Sequence, residues 1–117
     1  MSAHIELGRA GEDAAAAFYR RRGYRVLDRN YRCRSGEIDL VVRRGRLLVF
    51  CEVKTRTSQM WGTPAEAVGA LKQSRIRRSA GTWLAEHGGR RRELRFDVVS
   101  VAVADGRLEV THLPGAF

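Results

Sequence analysis

Glu37, Asp39, Glu52 and Lys54 are the residues of this chain whose types and spacing suit shared chemistry. Three are carboxylates, and like charges held close together raise one another's pKa unless a cation joins them. A hard divalent cation such as Mg²⁺ (or Mn²⁺) takes oxygen ligands, typically one or two carboxylates with waters and substrate phosphates. Such an ion supplies a hydroxide nucleophile and neutralises charge on a phosphodiester in its transition state. Asp39 and Glu52 are the candidate ligands. Lys54, two residues beyond Glu52 on the same strand face, is placed to orient the attacking water or to offset developing charge. Arginine is poorly suited to the first of these roles, because it does not deprotonate in proteins. Composition sharpens the point: of 22 basic residues, only Lys54 and Lys72 are lysines.

Two strands must position these groups. From Gly36 to Lys54 the chain alternates at period two, the signature of strands whose successive side chains face opposite ways. A tight turn at Arg44-Gly45, or a four-residue loop over 43–46, pairs Asp39 with Phe50 and Glu37 with Glu52. One face then carries Glu37, Asp39, Glu52 and Lys54. The other carries Ile38, Leu40, Val42, Leu47, Val49, Cys51 and Val53. A slip of one residue would mix the two sets, so the apolar pattern fixes the register. Asp39 and Glu52 become diagonal neighbours, roughly 7–8 Å apart at Cα, close enough for one ion to lie between their carboxylates.

The flanking chain supplies two helices and three more strands. Residues 2–22 read as a helix with Ile5, Gly8, Gly11, Glu12, Ala15, Phe18 and Tyr19 on one stripe, ended by Gly23. Gly8 and Gly11 each cost about 1 kcal/mol against Ala, which a close approach of helix to sheet would offset. Glu12 shares that stripe, and by pattern alone it points equally well inward or to solvent. Arg20, Arg21 and Arg22 suit the negative end of the helix dipole. A short strand over 24–28 leads to a basic loop, 30–35, where Arg32, Arg34 and Tyr31 suit either phosphate contact or simple solvation.

After the hairpin, 55–62 is aperiodic; its Trp61 fits core cover better than base stacking. Thr63-Pro64-Ala65-Glu66 forms a capping box with Pro at the first helical position, starting a helix that runs to about Glu86. Its apolar side holds Val68, Ile76, Ala80, Trp83 and Leu84, with Lys72 among them. Lys72 either snorkels to the rim or meets a phosphate near the carboxylates, and Arg75, Arg77 and Arg78 make a basic flank. A strand over 94–104 carries Asp97, expected to pair with an arginine. Asp105-Gly106 marks a hairpin into an edge strand over 107–112.

Length and composition describe one α/β domain spanning 1–117. Hydrophobic residues make 44% and charged residues 30% of the chain, the balance of a soluble globular protein. No apolar run of about 18 residues exists to span a membrane, and the first residues lack an apolar leader, so a cytoplasmic protein is expected. Cys33 and Cys51 lack metal-type spacing and read as reduced thiols, Cys51 in the core. A net charge of +9 favours a polyanionic partner.

Asp39 followed by Glu52-Val53-Lys54 on the adjacent strand, after a helix bearing Glu12, resembles the PD-(D/E)XK nuclease motif. The whole chain resembles the YraN-like family of small bacterial proteins, itself similar to archaeal Holliday-junction resolvases. The matching pieces are Gly8-x-x-Gly11-Glu12, Gly23-Tyr24, Asn30-Tyr31-Arg32, Gly36 to Val41, Glu52 to Lys54, Lys72 and Arg95 to Val99. One departure is Ile38 where the motif has Pro before the Asp. The resemblance implies a restriction-endonuclease-like core in the order αβββαββ, a mixed sheet with flanking helices. It implies a metal-dependent endonuclease acting on DNA, with Asp39, Glu52, Lys54 and Glu12 catalytic. Glu12 would add a ligand directly or through water, and the Val53 carbonyl would be another. Glu37 would support the site or lie beside it, while Arg32, Arg34, Lys72 and Arg75 would cradle the nucleic-acid backbone. A homodimer is implied for a branched substrate. The rival reading is a non-catalytic nucleic-acid-binding module, for DNA or for RNA on the ribosome.

Overall fold

The computed structural model describes residues 3–57, 68–88 and 93–117. In chain order they form α1 (Ala3–Arg21), β1 (Arg25–Cys33), β2 (Gly36–Arg44), β3 (Leu47–Thr57), α2 (Ala70–His87), β4 (Glu93–Ala104) and β5 (Arg107–Leu113). This is the expected αβββαββ order. The strands make one sheet in the order β1-β2-β3-β4-β5. β3 and β4 run parallel, joined through α2, and the other neighbours are antiparallel. A mixed sheet with two helices is the arrangement expected of a restriction-endonuclease-like α/β core. No helix among the described residues is long and apolar enough to cross a membrane.

Strand alternation feeds two cores. Leu40, Val42, Val49, Cys51, Val99 and Val101 pack beneath Ala15, Ala16, Phe18 and Tyr19 of α1. On the opposite face Val41, Leu48, Phe50 and Val98 meet Ile76, Ala80 and Trp83 of α2. Each fully buried Val, Leu, Ile or Phe contributes about 1.5–3 kcal/mol, so sheet and helices hold each other in place. Both cysteines are free thiols, Cys51 buried. At the far end, Asp105 (φ 50°) and Gly106 (φ 73°) make the expected positive-φ turn into edge strand β5.

The hairpin differs from the expected register in a way that matters for chemistry. Arg44 pairs with Leu47 and Leu40 with Cys51, so the loop is Gly45-Arg46 rather than Arg44-Gly45. The first position of such a loop needs a positive φ; Gly45 adopts 60° there without a side-chain clash. The shift keeps the facing sets, and its register continued one step past Leu40–Cys51 sets Asp39 against Glu52 instead of diagonal to it. One residue also changes face: Ile38 lies in the α2 core while Leu40 lies in the α1 core. Strict alternation therefore breaks at Asp39, where the β2–β3 ladder stops.

Other boundaries move for similar reasons. The expected basic loop over 30–35 is largely strand, because β1 stays paired with β2 as far as Cys33 and Gly36. Part of the expected loop after Lys54 is also strand: parallel pairing with β4 carries β3 to Thr57, opposite Val103. α2 begins at Ala70, with Gly69 before it in extended backbone and without a side-chain cap bond. Thr63, Pro64, Glu66, Trp61 and Arg90–Arg92 lie outside the described residues.

The two helix glycines also part company. A Cβ on Gly11 would overlap Thr55 Oγ1 and stand 3.1 Å from Thr55 Cβ, so Gly11 lets α1 close onto β3. A Cβ on Gly8 would meet nothing.

Candidate functional site

The site forms where β2 leaves β3. Beyond Leu40–Cys51 no ladder pair joins the two strands, although β2 remains paired with β1 and β3 with β4. Into this fork Asp39 turns its carboxylate. Its Oδ2 accepts the Val53 amide proton at 2.7 Å, replacing the carbonyl that a continuing strand would have offered. Glu52, one residue before that amide, is 7% exposed in its side chain. Burial pushes the Asp39 pKa up first, and the Glu52 charge pushes it further; the Val53 N–H opposes, and the more distant Glu12 adds to the rise. The result is a carboxyl group raised to about 7.

Two lysines converge on Glu52 Oε1. Lys72 Nζ approaches it to 2.6 Å and Lys54 Nζ to 3.7 Å. Lys54 reaches it along its own strand. Lys72 reaches it from α2, one turn before the buried Ile76, so the helix's apolar stripe delivers a cation to the sheet's fork. Burial lowers the Lys54 pKa, and the neighbouring Lys72 lowers it further. Burial is the largest single influence on Lys72 and disfavours its charge, but the bonds to Glu52 and Lys54 and the charges of Glu52 and Asp39 together hold its pKa above the ordinary lysine value.

Glu12 stands behind the fork on α1. Its Oε2 accepts a hydrogen bond from Asn30 Nδ2 at 3.0 Å. Asn30 has φ 52°, a left-handed conformation that asparagine tolerates better than most residues. Sequence reasoning missed this partner; the signal was an Asn in an otherwise basic strand. Beside it, Arg29 pairs with Asp13 at 2.7 Å.

Of the remaining candidates, Glu37 is exposed and pairs with Arg32 at 3.3 Å. Glu37, Lys72 and Arg75 line a cavity of about 280 Å³ with Gly36 and Ile76. Arg34 is exposed in the turn between β1 and β2. The structure thus brings Asp39, Glu52, Lys54 and Lys72 together and sets Glu37 and Arg75 at the adjoining cavity. Glu12 joins through its charge on Asp39 rather than by contact.

The donor set suits a hard divalent ion. The Asp39 and Glu52 carboxylates interact with each other, and Asp39 has one donor, the Val53 N–H. Among the described residues no three His, Cys, Asp or Glu side chains form a metal-binding group, so waters or phosphate oxygens would complete the shell. Mg²⁺ tolerates this well, as it keeps several waters.

Residues 11–101 match the model of a family described as "Uncharacterised protein family UPF0102". A UPF0102 protein of Frankia casuarinae is 52% identical over 118 residues, covering all of both chains. One from Anaeromyxobacter dehalogenans is 52% identical over 95% of this chain and 83% of its own length. One from Geobacter metallireducens is 45% identical over 100% of this chain and 97% of its own. The chain belongs to the UPF0102 family.

Proposed function

We propose that this member of the UPF0102 family is a Mg²⁺-dependent, structure-selective DNA endonuclease of PD-(D/E)XK type, similar to archaeal Holliday-junction resolvases. The observation that carries the reading is the strand fork. It sets Asp39 opposite Glu52, lifts the Asp39 pKa to about 7 and brings Lys54 to the same edge. Asp39, with one backbone amide as its hydrogen-bond donor and a second carboxylate beside it, is stabilised in its charged form by a cation.

Asp39, Glu52 and the Val53 carbonyl would hold the ion, which when bound supplies an acidified water and charge neutralisation. Lys54, its ammonium destabilised by burial and by Lys72, orients the attacking water. Glu12, held by Asn30, adds negative potential behind Asp39. Arg32, Arg34, Lys72 and Arg75 contact the phosphodiester backbone. None of these groups reads base edges, so substrate shape rather than sequence sets the preference. A two-fold branched substrate suits a homodimer.

The net charge of +9 and the Lys72–Glu52 bridge, which pairs Glu52 without any metal, also fit the rival reading of a non-catalytic nucleic-acid-binding module. One experiment separates them. Linear duplex, flap, four-way junction, single-stranded DNA and structured RNA are incubated with protein and Mg²⁺ or Mn²⁺, beside Glu52→Gln. Metal-dependent cutting that falls by about 10²-fold or more in the variant supports the nuclease, as expected for lost metal-assisted chemistry. Tight binding without cutting by either protein supports the module.

A further inference from the structure

Lys72 occupies the position around Glu52 where a site cation is needed. Its Nζ is 2.6 Å from Glu52 Oε1, against 3.7 Å for Lys54 on the same oxygen. A carboxylate with 7% of its side chain exposed must be paired to remain charged. Lys72 is the closer partner, and it comes from a different element. Its own side chain is 42% exposed, so the ammonium can leave for water while Glu52 cannot. A divalent ion on Asp39 and Glu52 would bring two further positive charges against this ammonium and claim the same oxygen.

We propose that Lys72 competes with the divalent cation for Glu52. This rests on reading Asp39 and Glu52 as the metal ligands. Without an ion, the bridge holds Glu52 in place at the fork. When an ion binds, the bridge is given up. The ammonium is then free at the cavity lined by Gly36, Glu37, Arg75 and Ile76, where a substrate phosphate can take it. Lys72 is thereby a positioning residue for Glu52 and, in turn, a contact for the substrate.

Calorimetric titration of Mn²⁺ into wild type, Lys72→Met and Arg78→Met tests this without any substrate. Lys72→Met should bind Mn²⁺ about fivefold more tightly than wild type, the size expected for removing one partly exposed charged competitor. Arg78→Met deletes the same charge on the exposed flank of α2 and should change affinity by less than about twofold. Thermal unfolding gives a second readout: Mn²⁺ should raise the Tm of Lys72→Met more than that of wild type, because Glu52 then lacks its nearer partner. Equal or weaker Mn²⁺ binding by Lys72→Met overturns the competition while leaving the metal site standing. So does an equal gain in Arg78→Met, or an equal Tm shift. Failure of wild type to bind Mn²⁺ at all overturns the metal site and the competition with it.

Discussion

Asp39 and Asp97 lie two strands apart in one sheet and have opposite electrostatics. Cys51 of β3 pairs with Leu40, beside Asp39, on one side and with Asp97 on the other. Asp97 is fully buried, yet it is saturated with partners. Arg95 donates two hydrogen bonds at 2.7 and 2.8 Å. Tyr19 Oη donates at 2.8 Å, the Gly115 amide at 3.0 Å, and His112 Nε2 lies at 2.8 Å. Burial pushes the Asp97 pKa up, but Arg95, His112, Gly115 and Tyr19 together hold it below the ordinary value. Asp39 is less buried, has the Val53 amide alone, and faces Glu52. Burial by itself therefore does not mark a chemical site; a shortage of donors does. Asp97 ties α1, β4, β5 and the C-terminal turn together, whereas Asp39 keeps a single backbone donor beside a second carboxylate.

The sharpest way to break this contrast is to remove Asp97. Asp97→Ala strands a partly buried guanidinium and three other donors, so urea unfolding should show a loss of about 3–5 kcal/mol. A loss below about 1 kcal/mol would mean that the network is dispensable and the contrast false. Next in size is Gly11→Ala, which drives a methyl into Thr55 beside Lys54 and should cost about 1–3 kcal/mol. Gly8→Ala, with open space around it, should gain up to about 1 kcal/mol. The pair, measured by thermal unfolding, separates close approach from helix propensity.

Asp39→Asn should raise stability at neutral pH in urea unfolding, since a neutral amide escapes the burial and the Glu52 charge that disfavour the carboxylate. Its Mn²⁺ binding, read by calorimetry, should be lost. The pH dependence sharpens the contrast further. Folded Asp39 titrates near 7 against about 3.9 in an unfolded chain. It binds its proton more tightly when folded, so its contribution to stability falls as pH rises from about 4 through 7. Asp97 has a lowered pKa, so its contribution is complete above the ordinary carboxylate value and is lost as pH falls through the depressed one. Urea unfolding across this range should show wild type declining relative to Asp39→Asn towards pH 7, with Mn²⁺ cancelling the decline. Parallel curves would count against the raised pKa. Smallest of all, Arg32→Ala breaks only an exposed pair with Glu37 and should cost less than about 0.5 kcal/mol. Its effect should appear instead as weaker nucleic-acid binding with a shallower salt dependence.

Much of this was legible before any coordinates. The alternating runs marked both hairpin strands, the 3-4 stripes marked both helices, and Asp105-Gly106 marked the last turn. Lys72 stood out on an apolar stripe and does face inward, to Glu52. The expected Asp97–arginine pair is there as well. The role of His112 is not legible in the sequence, because its partner sits on another strand and no spacing rule connects them. The bond from Asn30 to Glu12 was not legible, because it depends on a left-handed backbone and on a glutamate from α1.

The sequence by itself determined the order of elements, the apolar faces apart from Ile38, and the residues that could share a site, because these follow from local periodicity and residue chemistry. Only the tertiary structure decided that Gly45 rather than Arg44 opens the turn, that Asp39 therefore faces Glu52, and that β2 forks from β3 at that point. Register across strands depends on turn geometry and on packing from both sides of the sheet. A shift that keeps the same residues facing inward leaves no trace in the hydrophobic pattern.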